Sequence, residues 1–105
     1  EFLIDEIQQN LNYLNSNNSD WRLELDYHFG GYAKYKPELV DFINAFWVNH
    51  SIKLDPIYTG KAMFGLYDQI KSGIIRNKRV LFIHTGGLQG VKGFEERYRI
   101  NLFEV

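Results

Sequence analysis

The chain has 105 residues, with 12 Lys and Arg against 13 Asp and Glu, a formal net charge of -1 and 45% hydrophobic residues. This length allows one domain or a piece of a larger one, and the apolar fraction excludes a disordered segment. The balanced charge predicts no binding to nucleic acid or to a membrane surface. No apolar run reaches the about 18 residues of a membrane helix.

Cysteine is absent and the three histidines are scattered, so the sequence predicts neither a disulfide nor a metal site. The apolar residues near the start are spaced and interrupted by acids, unlike a signal peptide. We therefore expect a cytoplasmic protein.

The first predicted element is a helix over residues 1 to about 15, because apolar side chains recur there at helical spacing. A polar run over residues 15–20 favours a loop. Apolar and polar side chains then alternate strictly over residues 21–29, which predicts a half-buried strand that ends at Gly30-Gly31.

Two further helices and a second strand follow. Pro37 suits the first position of a helix that continues to about His50. Thr59 is predicted as the N-cap of the next helix and Gly73 as its C-terminal stop. The unbroken apolar run over residues 80–83 predicts a central strand that is buried on both faces. We make no prediction for the tail after Gly93.

This alternation of helices and strands predicts an α/β fold with a parallel sheet. Two strands are too few for a sheet that stands alone. We therefore expect either a homo-oligomer or a part of a larger α/β protein.

The best candidate site is Thr85-Gly86-Gly87, which follows the predicted central strand. Ligands of open α/β sheets bind at the carboxyl ends of the strands, and glycines let backbone amides approach a ligand closely. The alternative is an ordinary turn between a strand and a helix. His84 is more typical of a hydrogen-bonded structural histidine than of a base.

Two other segments are candidates. Tyr58 and Thr59 precede a predicted helix N-terminus, where the dipole favours anions and a phenol can transfer protons. Lys61 could be an amine nucleophile, but we expect a solvated lysine of the first helical turn. In the loop after Gly30-Gly31, Tyr32 or Tyr35 could face a site, or both could be aromatic anchors of a surface loop.

Three motifs together resemble a known family. They are GYA at residues 31–33, LDPIYTGKAM at residues 54–63 and VLFIHTGG at residues 80–87. In this order and at this separation they resemble the C-terminal third of the 1-aminocyclopropane-1-carboxylate deaminase / D-cysteine desulfhydrase family. Those enzymes use pyridoxal phosphate and have the fold of the tryptophan synthase β subunit, so the resemblance implies a three-layer αβα domain with a mostly parallel sheet.

The resemblance also implies roles for individual residues. Tyr58 matches the family's active-site tyrosine, a candidate for proton transfer, and Tyr32 matches a second tyrosine that faces the substrate. Both are the expected catalytic residues for a small amino-acid substrate.

The expected cofactor-binding residues are Thr85, Thr59, Gly86 and Gly87. Thr85 matches the position that approaches the pyridine nitrogen in desulfhydrase-like members, and Thr59 stands where ring-opening deaminases carry a glutamate. A threonine hydroxyl supplies no negative charge and suits a neutral pyridine. The two threonines therefore favour elimination from a D-amino acid such as D-cysteine.

The family's Schiff-base lysine and phosphate-binding loop match nothing in residues 1–105. We therefore expect a C-terminal fragment, without the region of the catalytic lysine, that is inactive by itself. Two alternatives stay open: a self-standing small α/β module that binds a phosphate-bearing ligand at Thr85-Gly86-Gly87, and a structural interaction module.

Overall fold

A computed structural model describes residues 2–14 and 20–104, which form helices but no β-strand. The helices are α1 (Phe2–Tyr13), α2 (Pro37–His50), α3 (Thr59–Lys71) and α4 (Val91–Tyr98), with one turn of 3-10 helix at Leu88–Gly90. The predicted α/β fold, a three-layer αβα domain with a mostly parallel sheet, is therefore wrong for the described residues.

The helix predictions are largely confirmed. Pro37 is the first residue of α2, and Ser51 ends that helix in the left-handed conformation, with φ 56°. Gly73 follows α3 with φ 81° and donates its N–H to the Ile70 carbonyl at 3.2 Å. The end predicted for the first helix, residue 15, and most of the polar run after it lie outside the described residues.

The alternating segment over residues 21–29 is irregular, although its burial follows the sequence pattern. The half-buried side chains are Trp21, Leu23, Tyr27 and Phe29, and Leu25 departs from the pattern at 51% exposed. A strand needs a second strand to pair its N–H and C=O groups. No backbone hydrogen bond of residues 20–104 gives this segment such a partner, so the predicted strand is absent.

The predicted central strand over residues 80–83 is also wrong. Val80, Leu81 and Ile83 are 47%, 85% and 72% exposed. An apolar run of this kind becomes a buried strand only when neighbouring strands and covering helices surround it. The described part of the chain supplies neither, so the segment crosses the surface without regular structure.

The core lies where α2 packs against α3 and the C-terminal segment. Its buried members are Leu39, Val40, Ile43, Phe46, Leu54, Phe94 and Leu102. Each fully buried aliphatic side chain contributes about 1.5–3 kcal/mol. Gly60 allows the close approach of α3 to α2, because a Cβ there would lie 2.7 Å from Cδ1 of Ile43.

The tail after Gly93 is part of this core. Phe94 and Leu102 are only 4% and 6% exposed. The Leu102 N–H donates to Oε2 of Glu95 at 2.8 Å, and the Phe103 N–H donates to Oδ1 of Asn44 at 2.8 Å. The first bond fastens the chain after α4 back to α4, and the second fastens it to α2.

Candidate functional site

A buried carboxylate organises the start of α3. Asp55 is fully buried. Its Oδ2 accepts the N–H groups of Ile57 and Tyr58 at 2.8 and 2.7 Å, and its Oδ1 accepts the N–H of Thr59 at 2.8 Å. Such N–H groups lack partners at the start of a helix. Asp55 therefore caps α3, and the prediction of Thr59 as N-cap is wrong, because Thr59 is already the first helical residue.

Thr59 supports the same turn with its side chain. It is 3% exposed, and its hydroxyl donates to Oδ1 of Asp55 at 2.5 Å while accepting the Asp55 N–H at 2.8 Å. A hydroxyl has one donor and two acceptor positions, so only one acceptor position remains. The predicted contact of Thr59 with a cofactor stays a prediction.

The glycine loop meets this cap. A Cβ at Gly87 would lie 2.7 Å from Oδ1 of Asp55, whereas a Cβ at Gly86 would meet open space. Both glycines have the left-handed φ that favours this residue type, 85° and 94°. Thr85 precedes them and is exposed. Two of the three motifs of the sequence resemblance, those over residues 54–63 and 80–87, therefore come together at the N-terminus of α3.

His84 holds the loop in place. Its Nδ1 accepts the Gly86 N–H at 3.0 Å, so its Nε2 carries the proton and donates to the Lys53 carbonyl at 2.8 Å. The prediction of a hydrogen-bonded structural histidine is confirmed.

Two exposed phenols face each other beside the cap. The hydroxyl of Tyr58 donates to the hydroxyl of Tyr32 at 3.4 Å, and the ring centroids are 6.1 Å apart at an angle of 63°. Tyr58 is 57% and Tyr32 is 74% exposed. The hydrogen bond to Tyr32, more than burial, raises the pKa of Tyr58 above its ordinary value. The Tyr58 phenol is therefore a weaker acid than an isolated tyrosine.

Lys61 is a functional candidate that the sequence interpretation considered but assigned to solvent. It is 9% exposed, so the prediction of a solvated lysine is wrong. Its Nζ donates to the carbonyls of His28 and Gly31 at 2.7 and 2.9 Å, and burial lowers its pKa. A cation in the first turn of a helix opposes the helix dipole. That conflict is the sequence signal that could have singled Lys61 out.

Tyr35 is an aromatic anchor of the surface loop. Its ring lies 5.2 Å from that of Phe94 and 4.6 Å from that of Tyr98, with edge-to-face geometry. Such contacts suit packing, so of the two loop tyrosines only Tyr32 lies beside Tyr58.

Other kinds of site find no support in the described residues. Among residues 2–14 and 20–104, no group of three or more His, Asp or Glu could hold a metal ion. No helix in the same ranges is long and apolar enough to cross a bilayer.

Sequence comparisons identify relatives with informative names. A protein of Pyrococcus abyssi, provisionally named 1-aminocyclopropane-1-carboxylate deaminase, is 45% identical over 71 residues, which are 68% of this chain and 21% of the relative. A protein of Pyrococcus furiosus with the same provisional name is 42% identical over 74% of this chain and 24% of its own length. The bifunctional D-cysteine desulfhydrase/1-aminocyclopropane-1-carboxylate deaminase, mitochondrial, of Arabidopsis thaliana is 38% identical over 58% of this chain and 16% of its own length.

The chain thus spans about a fifth of the length of the curated relatives it matches. No family profile and no solved structure matches it.

The relatives are named as enzymes that deaminate or desulfhydrate small amino acids. The resemblance that the three motifs predicted, to the 1-aminocyclopropane-1-carboxylate deaminase / D-cysteine desulfhydrase family, is confirmed by these relatives. The family name implies pyridoxal phosphate as the cofactor in general.

Proposed function

We propose that this chain is a C-terminal part of a pyridoxal-phosphate-dependent deaminase or lyase and that it frames one side of the cofactor ring. The observation that carries the proposal is the junction at Asp55. Its carboxylate binds the Tyr58 backbone and lies against Gly87, while the Tyr58 phenol meets that of Tyr32. Residues of all three resembling motifs thus meet at one end of α3.

The residues present fit the ring of the cofactor. Thr85 is exposed, and the space beside Gly86 is open. We assign the contact with the pyridine nitrogen to Thr85, because the hydroxyl of Thr59 already bonds twice with Asp55. Gly86 and Gly87 would let the backbone approach the ring. Pyridoxal phosphate, when bound, supplies an electron-withdrawing ring that stabilises negative charge on the substrate.

The residues present do not supply the covalent anchor. Lys61 is the lysine closest in sequence to Tyr58, and two backbone carbonyls hold its Nζ. The anchoring lysine and the phosphate-binding loop therefore belong, in this proposal, to a part of the protein outside residues 1–105. The chain alone is then inactive.

Tyr58 and Tyr32 are the residues that act on the substrate in this proposal. The Tyr58 phenol carries its proton at neutral pH, as an ordinary tyrosine does, so it can orient a substrate group or transfer that proton. The hydrogen bond to Tyr32, which raises the pKa of Tyr58, makes it a weaker acid. Tyr32 is the more exposed phenol and would contact the substrate directly.

Among the chemistries of the family, we favour elimination from D-cysteine over ring opening. The neutral hydroxyl of Thr85 leaves the pyridine nitrogen uncharged, which makes a weaker electron sink. Elimination of a thiol places a smaller demand on that sink than cleavage of a carbon–carbon bond.

A homo-oligomer and a cytoplasmic location stay predictions. The plant relative is named as mitochondrial.

The test uses the full-length protein that carries this sequence. We expect bound cofactor to give a visible absorbance band. Borohydride reduction should remove this band and leave the cofactor covalently attached, and sulfide should be released from D-cysteine faster than ammonia from 1-aminocyclopropane-1-carboxylate. Tyr58→Phe should lower turnover about 10²–10⁴-fold, the usual contribution of a proton-transfer group. Tyr27→Phe is the matched control, since it removes a phenol hydroxyl that donates to the surface residue Asp68.

A protein that stays colourless with added cofactor contradicts the proposal. Faster turnover of the cyclopropane substrate leaves the enzyme class in place but overturns the preference for D-cysteine.

A further inference from the structure

The loop that carries Tyr32 has an unfavourable backbone conformation. Between residues 28 and 34, positive φ angles occur at Phe29 (56°), Gly30 (101°), Gly31 (128°) and Ala33 (57°). Phe29 and Ala33 have side chains, so this conformation is strained at both residues. Such a loop keeps one shape only if contacts from elsewhere fix it.

Lys61 fixes the loop on the side before Tyr32. The carbonyls of His28 and Gly31 already accept the N–H groups of Gly31 and Lys34 at 3.2 and 3.1 Å. The Nζ of Lys61 binds the same two carbonyl oxygens at 2.7 and 2.9 Å. Hydrogen bonds from a charged donor are roughly twice as strong as neutral ones, so one buried ammonium joins both turns of the loop to α3.

Tyr98 fixes the loop on the other side. Its hydroxyl donates to the Ala33 carbonyl at 2.8 Å. The ring of Tyr98 is itself held in the core by Phe94 and Tyr35, with centroids 4.9 and 4.6 Å away. This hydroxyl therefore joins the loop to α4.

We propose that Lys61 and Tyr98 are positioning residues which, by holding the carbonyls of Gly31 and Ala33 on either side of Tyr32, fix the phenol of Tyr32 against that of Tyr58. The side chain of Tyr32 is 74% exposed, so burial does not hold it in place. Its place at 3.4 Å from the Tyr58 hydroxyl therefore depends on the backbone that these two residues hold. The inference rests on the proposed function only for its catalytic consequence, because the geometry itself is measurable without turnover.

The experiment measures the Tyr32–Tyr58 contact in the full-length protein with ¹³Cζ-labelled tyrosine. Tyr58→Phe and Tyr32→Phe assign the two resonances, and a pH titration follows each of them. Because Tyr32 is the main cause of the raised pKa of Tyr58, a displaced Tyr32 should return that pKa toward its ordinary value.

The variants are Tyr98→Phe, which keeps the packed ring, and Lys61→Met, which keeps the side-chain length without the donors. Tyr27→Phe is the control.

We expect Tyr98→Phe and Lys61→Met each to lower the pKa of Tyr58 and to weaken the nuclear Overhauser contact between the two rings, while Tyr27→Phe changes neither. In turnover assays kcat should fall about tenfold to a hundredfold, the cost of a displacement near 1 Å. If both variants leave the pKa of Tyr58 and the ring contact unchanged, the proposal is overturned, even if they unfold more easily. A wild-type protein without turnover would refute the proposed function but not this inference, since the titration still reports whether Lys61 and Tyr98 hold Tyr32 against Tyr58.

Discussion

The backbone of Gly87 lies against the carboxylate of Asp55, so closely that a Cβ at position 87 would stand 2.7 Å from Oδ1 and 2.9 Å from Cγ. The same carboxylate caps α3. One buried side chain therefore contacts both the start of the helix and the glycine loop, which brings the motifs over residues 54–63 and 80–87 together.

Replacing Gly87 tests this contact directly. Gly87→Ala should lower the free energy of unfolding by about 1 kcal/mol for the left-handed φ and by about 1–3 kcal/mol more for overpacking. Gly86→Ala is the matched control, because its φ of 94° is similar but its Cβ would meet nothing within 4 Å. Urea unfolding measures both variants. Equal losses of stability would show that the carboxylate does not restrict position 87.

The cap predicts a large effect of a small change at Asp55. Asp55→Asn replaces one accepting oxygen by an NH₂ group, which leaves buried N–H groups at the start of α3 without an acceptor. An unsatisfied buried donor costs about 1–3 kcal/mol, so the midpoint of urea unfolding should fall accordingly. Asp41→Asn, on the exposed face of α2, should stay within about 0.5 kcal/mol. Similar midpoints for the two variants would exclude Asp55 as the cap.

Two helical glycines should respond in opposite directions to alanine. Gly60→Ala would place a Cβ 2.7 Å from Cδ1 of Ile43 and against the Asp55 carbonyl, so we expect a loss of about 1–3 kcal/mol. Gly93→Ala in α4 meets nothing within 4 Å and should gain up to about 1 kcal/mol from helix propensity. Thermal unfolding compares them. A gain of stability in both variants would refute the close packing of α3 on α2.

Tyr27 should make stability depend on alkaline pH. Its hydroxyl donates to Oδ2 of Asp68 at 2.8 Å, and this bond raises the pKa of Tyr27 above its ordinary value. A pKa that is higher in the folded state gives stability that is fully present below the unfolded value, about 10, and is lost as pH rises through the folded value. The difference in urea midpoint between wild type and Tyr27→Phe should therefore shrink from about pH 8 to about pH 11. A constant difference would mean that the bond does not hold the phenol proton.

The helices could be predicted from the sequence because their signals are local. Pro37 marks the start of α2 and Gly73 follows the end of α3, as their backbone preferences require. The absence of the two predicted strands could not be foreseen from the sequence. A strand depends on a partner strand, and residues 21–29 and 80–83 find none in the described chain.

The candidate site was predictable in part. Tyr32 and Tyr58 were identified by resemblance, and the structure brings them together. The roles of Lys61 and Tyr98 depend on contacts between α3 or α4 and a loop distant in sequence, and the contact of Asp55 with Gly87 joins two loops that are distant in sequence. Local spacing does not encode such contacts.

The segment over residues 80–83 has a consequence for handling the chain by itself. Val80, Leu81 and Ile83 are exposed, and the backbone of the segment pairs with no strand of the described chain. The segment contains neither proline nor charge. Exposed apolar segments with unpaired backbone groups are sites at which copies of a chain can pair as β-strands. Lys78 and Arg79 flank it on one side and oppose such pairing by repulsion. High ionic strength screens that repulsion, so concentrated salt should favour aggregation.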